Sequence, residues 1–139
     1  MKNKQITAKD IKMKILLVDD YPKNKFSKDL IDELKLHHNV DIICKYVDLK
    51  NIFEKINTYN LVFVDILLEY EDWAMKDGWE IANEIREKFN NLIILYSRLH
   101  RDIYSENLMK IEKTEYLRLP LDYSDLAKIL YTINKKNHE

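Results

Sequence analysis

Four short apolar runs and a fifth, mixed one alternate with amphipathic stretches, and that alternation leaves the chain few folds. The runs are Ile15-Leu16-Leu17-Val18, Val40 to Lys45, Leu61-Val62-Phe63-Val64, Leu92 to Tyr96 and Glu115 to Leu119. They are short and mostly rich in β-branched residues, the pattern of strands covered on both faces. Between them, apolar residues recur at helical spacing. Phe26, Leu30 and Leu34 define a first helix, entered through Pro22 and ending near His37-His38-Asn39. Leu49 to Ile56 is a second, with Asp48 as its cap. Trp79, Ala82, Ile85 and Phe89 share one face of a third. Asp102 to Ile111 is a fourth, with Ile103, Leu108 and Ile111 as core candidates. Asp122 to Lys135 is the last, with Leu126, Ile129, Leu130 and Ile133 turned inward. This order predicts an α/β fold, a doubly wound five-stranded parallel sheet with helices on both faces. Residues 1–12 read as a polar lead-in, 13–136 as the domain and 137–139 as a tail.

At 139 residues the chain is one domain, large enough for a core of its own. No stretch approaches the roughly 20 apolar residues of a membrane span. The polar start, Met1-Lys2-Asn3-Lys4-Gln5, leads into no signal core. One cysteine, Cys44, excludes an internal disulfide, suits a reducing cytosol and reads as an inert core residue of the second strand. A formal net charge of −1 gives no electrostatic basis for binding nucleic acid. A cytoplasmic protein that meets neither membrane nor nucleic acid is the expectation.

Open parallel sheets bind ligands at the carboxyl ends of their strands. There the first run ends in Asp19-Asp20, the third in Asp65 and the fourth in Ser97. Converging carboxylates repel one another, and a hard divalent cation such as Mg²⁺ offsets that repulsion with oxygen ligands. A carboxylate beside the cation can act as a nucleophile and become an aspartyl phosphate. The hydroxyl of Ser97 can then hydrogen-bond a phosphoryl oxygen. Asp after a strand also serves as an N-cap or turn residue, and for Asp19 or Asp20 singly that reading stands beside the functional one. It is weaker for Asp65, because Leu67-Leu68 follow rather than a helix start. Asp77-Gly78 holds the chain's one glycine and reads as the turn into the third helix, with a positive φ at Gly78. His37, His38 and His100 read as exposed residues, not ligands.

In their order and spacing, "ILLVDD" (15–20), "LVFVDILL" (61–68), "DGWEIANEIR" (77–86), "IILYS" (93–97) and "EYLRLP" (115–120) resemble the CheY-like receiver domain of response regulators. The resemblance runs from about Lys14 to Lys135 and implies the strand order 2-1-3-4-5. It makes Asp65 the phosphoacceptor. It makes Asp19 and Asp20 the acidic pair that holds Mg²⁺, with Asp20 the direct ligand and the backbone carbonyl of Leu67 a further one. Ser97 becomes the switch hydroxyl, Tyr116 the switch aromatic, and Pro120 the proline that often follows a cis bond. It also implies a histidine kinase or phosphotransfer protein as phosphoryl donor, a downstream protein partner, and no enzymatic turnover. Pairing of two copies through the fourth helix, fifth strand and fifth helix is allowed but not demanded. The chain stops after the last helix, so a stand-alone receiver is expected.

Two features depart from the family. Where a lysine precedes the proline in the family, this chain has Leu119, and alternation turns Arg118 to the opposite face. Arg98, Arg101 and Lys76 are the alternative cations. The segment from Leu67 to Lys76 is several residues longer than usual and carries Glu69, Glu71 and Asp72 with Tyr70 and Trp73. It reads as a solvated acidic loop, with Trp73 as an anchor or partner contact. Leu119 motivates a second reading, a pseudo-receiver that binds partners without switching. A third, a Mg²⁺-dependent phosphotransfer or hydrolase enzyme, fits less well. The acids are adjacent rather than spaced Asp-x-Asp, and no glycine-rich phosphate loop exists.

Overall fold

The computed structural model describes residues 12–98 and 111–137. Five parallel strands form one sheet in the order β2-β1-β3-β4-β5. They are β1 (Lys14–Val18), β2 (Asn39–Ile43), β3 (Leu61–Asp65), β4 (Ile93–Ser97) and β5 (Thr114–Arg118). Helices α1 (Lys28–His37), α2 (Tyr46–Ile52) and α3 (Gly78–Lys88) connect them, and a C-terminal helix (Tyr123–Asn137) follows β5. None of these helices is long and apolar enough to cross a membrane. The helix expected over 102–111 lies outside the described residues up to position 110, with Ile103 and Leu108, as do residues 1–11, His100 and Arg101, while Ile111 is buried in the core as expected.

Strand alternation sorts the core into two layers. Leu16, Val18, Val62, Val64, Ile93 and Leu95 face one side, under Leu49 of α2 and Ile81, Ala82 and Ile85 of α3. Ile15, Leu17, Leu61, Phe63, Ile94 and Tyr96 face the other. Leu30, Ile31 and Leu34 of α1 cover them, with Leu126, Leu130 and Ile133 of the C-terminal helix. Every residue of β3 and β4 is buried, as central strands of a doubly covered sheet must be.

Several local expectations shift. Helix α1 starts at Lys28 rather than near Pro22. Pro22 instead sits in a turn behind a cis Tyr21–Pro22 bond, and Phe26 precedes the helix, 58% exposed. Helix α2 starts at Tyr46, with Lys45 and not Asp48 at its N-cap. The Tyr46 N–H donates to the Asp72 carbonyl at 2.8 Å, which satisfies a helix-end donor without a capping side chain. Beyond Ile52 the chain tightens into a 3₁₀ turn, Phe53–Thr58. Cys44 falls just past β2 and is only partly buried. His38 is buried, and its Nδ1 accepts the Met13 N–H at 3.1 Å. Gly78 has no positive φ.

Candidate functional site

The register of the sheet brings the strand ends together. Val18 lies beside Val64, so the residues that follow each, Asp19 and Asp65, leave the sheet next to each other. Asp19, Asp20 and Asp65 are all buried. A buried carboxylate needs donors, and Asp19 has three. Its Oδ1 accepts the Tyr21 N–H at 2.7 Å, and its Oδ2 accepts the Ser27 hydroxyl at 2.6 Å together with the Tyr96 hydroxyl. Burial still pushes its carboxyl above the usual range, against those donors. Asp19 is thus a structural centre that ties β1, the start of α1 and β4 together.

Asp20 is satisfied from a different direction. The Glu69 N–H donates to its Oδ2 at 2.9 Å, and the Trp73 indole Nε1–H donates to its Oδ1 at 3.0 Å. Both donors belong to the long loop 67–76. Burial raises the Asp20 carboxyl above its ordinary value. Trp73 is fully buried and packs into the α2–α3 layer, so the anchoring reading of this residue holds. The acids of the loop divide. Glu69 pairs with Lys23 at 2.6 Å, and Asp72 lies 3.8 Å from the same ammonium, while Glu71 is exposed.

Asp65 ends β3, and among the described residues its donor is the Leu67 N–H, on Oδ1 at 2.9 Å. Burial, and then the nearby charge of Asp19, push its carboxyl up to about 8. The Arg98 charge acts in the opposite direction. On the neighbouring strands the Ser97 and Tyr116 hydroxyls are 3.1 Å apart. The Leu119 N–H donates to the Ser97 carbonyl at 2.7 Å, and the Leu119–Pro120 bond is cis, as the resemblance implied.

The alternative cations separate clearly. Leu119 is buried in the layer under the C-terminal helix, and Arg118 is exposed on the other side of the strand. Lys76 is held by Glu84 and by the Tyr46 hydroxyl. Arg98 is exposed, stacks 3.4 Å from the centre of the Phe26 ring, and acts on Asp65. Arg101 lies outside the described residues.

Gly78 completes the site from below. A Cβ built there meets the Asp65 carbonyl oxygen at 2.2 Å and the Ile66 Cα at 2.5 Å. Glycine is required for this close backbone approach, not for an unusual φ. Its N–H donates to the Ile66 carbonyl at 3.0 Å, so the loop leaves and returns at the same point.

Solved structures share this fold. A two-component response regulator from Clostridium difficile is 23% identical, with 92% of this chain and 100% of that one covered and a TM-score of 0.69. A CheY-like receiver domain from Methylobacillus flagellatus is 19% identical, covering 88% and 99%, with a TM-score of 0.69. The fold is that of response-regulator receiver domains. The receiver domain of the sensor histidine kinase PA1611 from Pseudomonas aeruginosa, with magnesium in its active-site cleft, shares it at 23% identity. There 89% of this chain and 99% of that one are covered, with a TM-score of 0.66. No family model and no curated protein matches the chain.

Within this receiver fold the donor chemistry suits a hard cation: buried carboxylates whose mutual repulsion a cation would relieve. Their present arrangement is not a finished cage. Among the described residues, no three His, Cys, Asp or Glu side chains stand at metal-holding spacing. Ser27, Tyr96 and Trp73 do not stand out in the sequence as site residues. A hydroxyl closing an apolar run, Tyr96, is the one hint, since buried tyrosines need a partner.

Proposed function

We propose that this chain is a response-regulator receiver that accepts a phosphoryl group on Asp65. A phosphohistidine of a histidine kinase or phosphotransfer protein would supply it, and altered contacts with a downstream protein would be the output. The observation that supports this most is the buried Asp65 at the end of β3, beside Asp19 and next to β4, whose Ser97 hydroxyl pairs with that of Tyr116. In the transfer, a carboxylate oxygen of Asp65 bonds to phosphorus as the phosphorus–nitrogen bond breaks, and the imidazole leaves with the electron pair. Asp65 must be ionised for this, and burial and Asp19 oppose that.

Asp20, Asp65 and the Leu67 carbonyl are the groups that would hold Mg²⁺, with Asp19 behind them. When bound, the ion supplies positive charge that favours ionised Asp65 and neutralises phosphoryl oxygens. The Ser97 hydroxyl would bond a phosphoryl oxygen, releasing Tyr116 from its present contact. Arg98 takes the part of the missing lysine. Its guanidinium suits phosphoryl oxygens, and it already acts on Asp65. The protein acts as a switch, without turnover of a substrate.

The second reading, a module with weak or no phosphorylation-dependent switching, draws on the burial of Leu119 among apolar side chains. Treatment with Mg²⁺ and a small phosphodonor or beryllofluoride separates the two. The receiver reading expects an adduct by intact mass, shifts at Ser97 and Tyr116 by NMR, and loss of both in Asp65→Asn. No adduct at high donor and Mg²⁺ leaves the non-switching module. Turnover of a phosphoester would overturn both.

A further inference from the structure

We propose that the loop 67–76 is a latch on the cation site, and that Trp73 fastens it. The Trp73 indole N–H and the Glu69 N–H hold the two oxygens of Asp20 in the closed loop. Each takes one lone pair and sets its partial positive charge against an oxygen that a cation would use, so their release favours a cation on Asp20. This rests on the receiver reading, because it concerns the cation that reading requires.

Three observations carry it. First, both Asp20 oxygens accept donors from this loop, at 2.9 and 3.0 Å. The partial positive charge of each N–H lies against the oxygens that a cation would use, so the two compete for the same carboxylate. Second, the closed loop is strained. Ala74 and Met75 have φ of 56° and 63°, in succession and without glycine. Alanine and methionine rarely adopt that region, and such strain persists only where the surroundings enforce it. Third, the enforcing contacts are local. Trp73 is fully buried, the Met75 N–H closes on the Tyr70 carbonyl at 2.7 Å, and Lys23 binds Glu69 from the β1–α1 connection. Asp72 adds its carbonyl to the Tyr46 N–H. A strained segment whose closed form depends on the Trp73 ring, the Asp20 carboxylate and these few further contacts is suited to act as a two-state element. Anything that takes Asp20 from the loop favours opening, and by linkage anything that opens the loop favours cation binding.

The test follows the indole N–H of Trp73 in the ¹⁵N-labelled full chain during a Mg²⁺ titration, with Mg²⁺ affinity measured by calorimetry. The latch expects the Trp73 indole resonance to shift and lose exchange protection in step with Mg²⁺ saturation. It expects Trp73→Phe, which keeps a ring but no N–H, to bind Mg²⁺ roughly tenfold tighter. Ala74→Gly relieves the strain of the closed loop and should bind several-fold more weakly. An indole resonance unmoved at saturating Mg²⁺ overturns the latch, and so does unchanged or weaker binding in Trp73→Phe. The latter would make Trp73 a support for Asp20. Both outcomes leave the receiver reading standing, whereas absence of Mg²⁺ binding in every form removes the latch and that reading's cation together.

Discussion

Asp65 is placed where carrying a charge is costly. Its carboxyl is raised to about 8, so the folded chain keeps a proton that the unfolded chain releases near 3.8. The sign follows from that difference. Between about pH 4 and pH 8 the native state binds more protons, so this residue makes stability fall as pH rises. Asp65→Asn removes the titration and keeps the shape. It should be more stable than the parent at pH 7.5, by roughly 1–3 kcal/mol, and indistinguishable from it at pH 4. Urea denaturation across that range checks both limits. At this scale the sequence is legible in part. Asp19, Asp20, Asp65 and Ser97 fall at strand ends that apolar runs locate, Tyr116 lies within β5, and the fold gathers their elements. Their partners are not legible. Tyr96 reaches Asp19 across 77 positions and Trp73 reaches Asp20 across 53, and no local pattern encodes a meeting at such range.

The element that joins β3 to α3 shows how a correct boundary can have a different cause. Asp77-Gly78 marks the helix start, and Asp77 is its N-cap in a reciprocal pair with Glu80. Asp77 accepts the Glu80 N–H at 3.0 Å, and the Glu80 side chain takes the Asp77 N–H at 3.3 Å. Asp77→Ala should cost about 1 kcal/mol, as loss of such a cap does, without altering the site. Gly78→Ala is a different experiment one residue away. Its methyl would meet backbone of β3 rather than a flexible side chain, so relief requires moving Asp65 itself. A loss of roughly 3 kcal/mol in urea denaturation is expected, with displaced Asp65 and Leu67 amide resonances. If Gly78→Ala cost no more than Asp77→Ala, the close approach would not be what demands glycine. The loop between these ends was the least legible element. Its acids and exposed Tyr70 look like a solvated excursion, and only the burial of Trp73 shows that it folds back onto Asp20.

Over the whole molecule, two buried groups on different elements set opposing pH limits. His38 follows α1 and holds the Met13 N–H that leads into β1, so it joins a helix end to the first central strand. Burial lowers its pKa, and the neighbouring His37 and Lys12 charges add to that. The folded chain therefore resists a proton that the unfolded chain accepts near 6.5. The stability His38 confers is complete above that value and is lost as pH falls through the window below it. Protonation would also convert the Nδ1 acceptor into a donor facing the Met13 N–H. Asp65 pulls the other way, losing stability as pH rises toward 8. Below about pH 6.5 the two slopes oppose and largely cancel, so the thermal stability of the intact chain should change little in mildly acidic solution and fall as pH rises from there toward 8. His38→Asn keeps a side-chain acceptor but does not titrate, so it should remove the compensation and leave stability falling with rising pH across the whole range. Asp65→Asn should remove the fall toward pH 8, down to the smaller slope left by Asp19 and Asp20, which burial raises in the same direction, and uncover the rise with pH that His38 gives below about 6.5. Melting temperatures of the parent, both single variants and the double variant from pH 4.5 to 8.5 check this. The two effects should add, because one group sits at the amino end of β1 and the other at the carboxyl end of β3. A parent whose stability rises steadily to pH 8 would mean that the strand-end carboxylates do not repel one another as their burial requires.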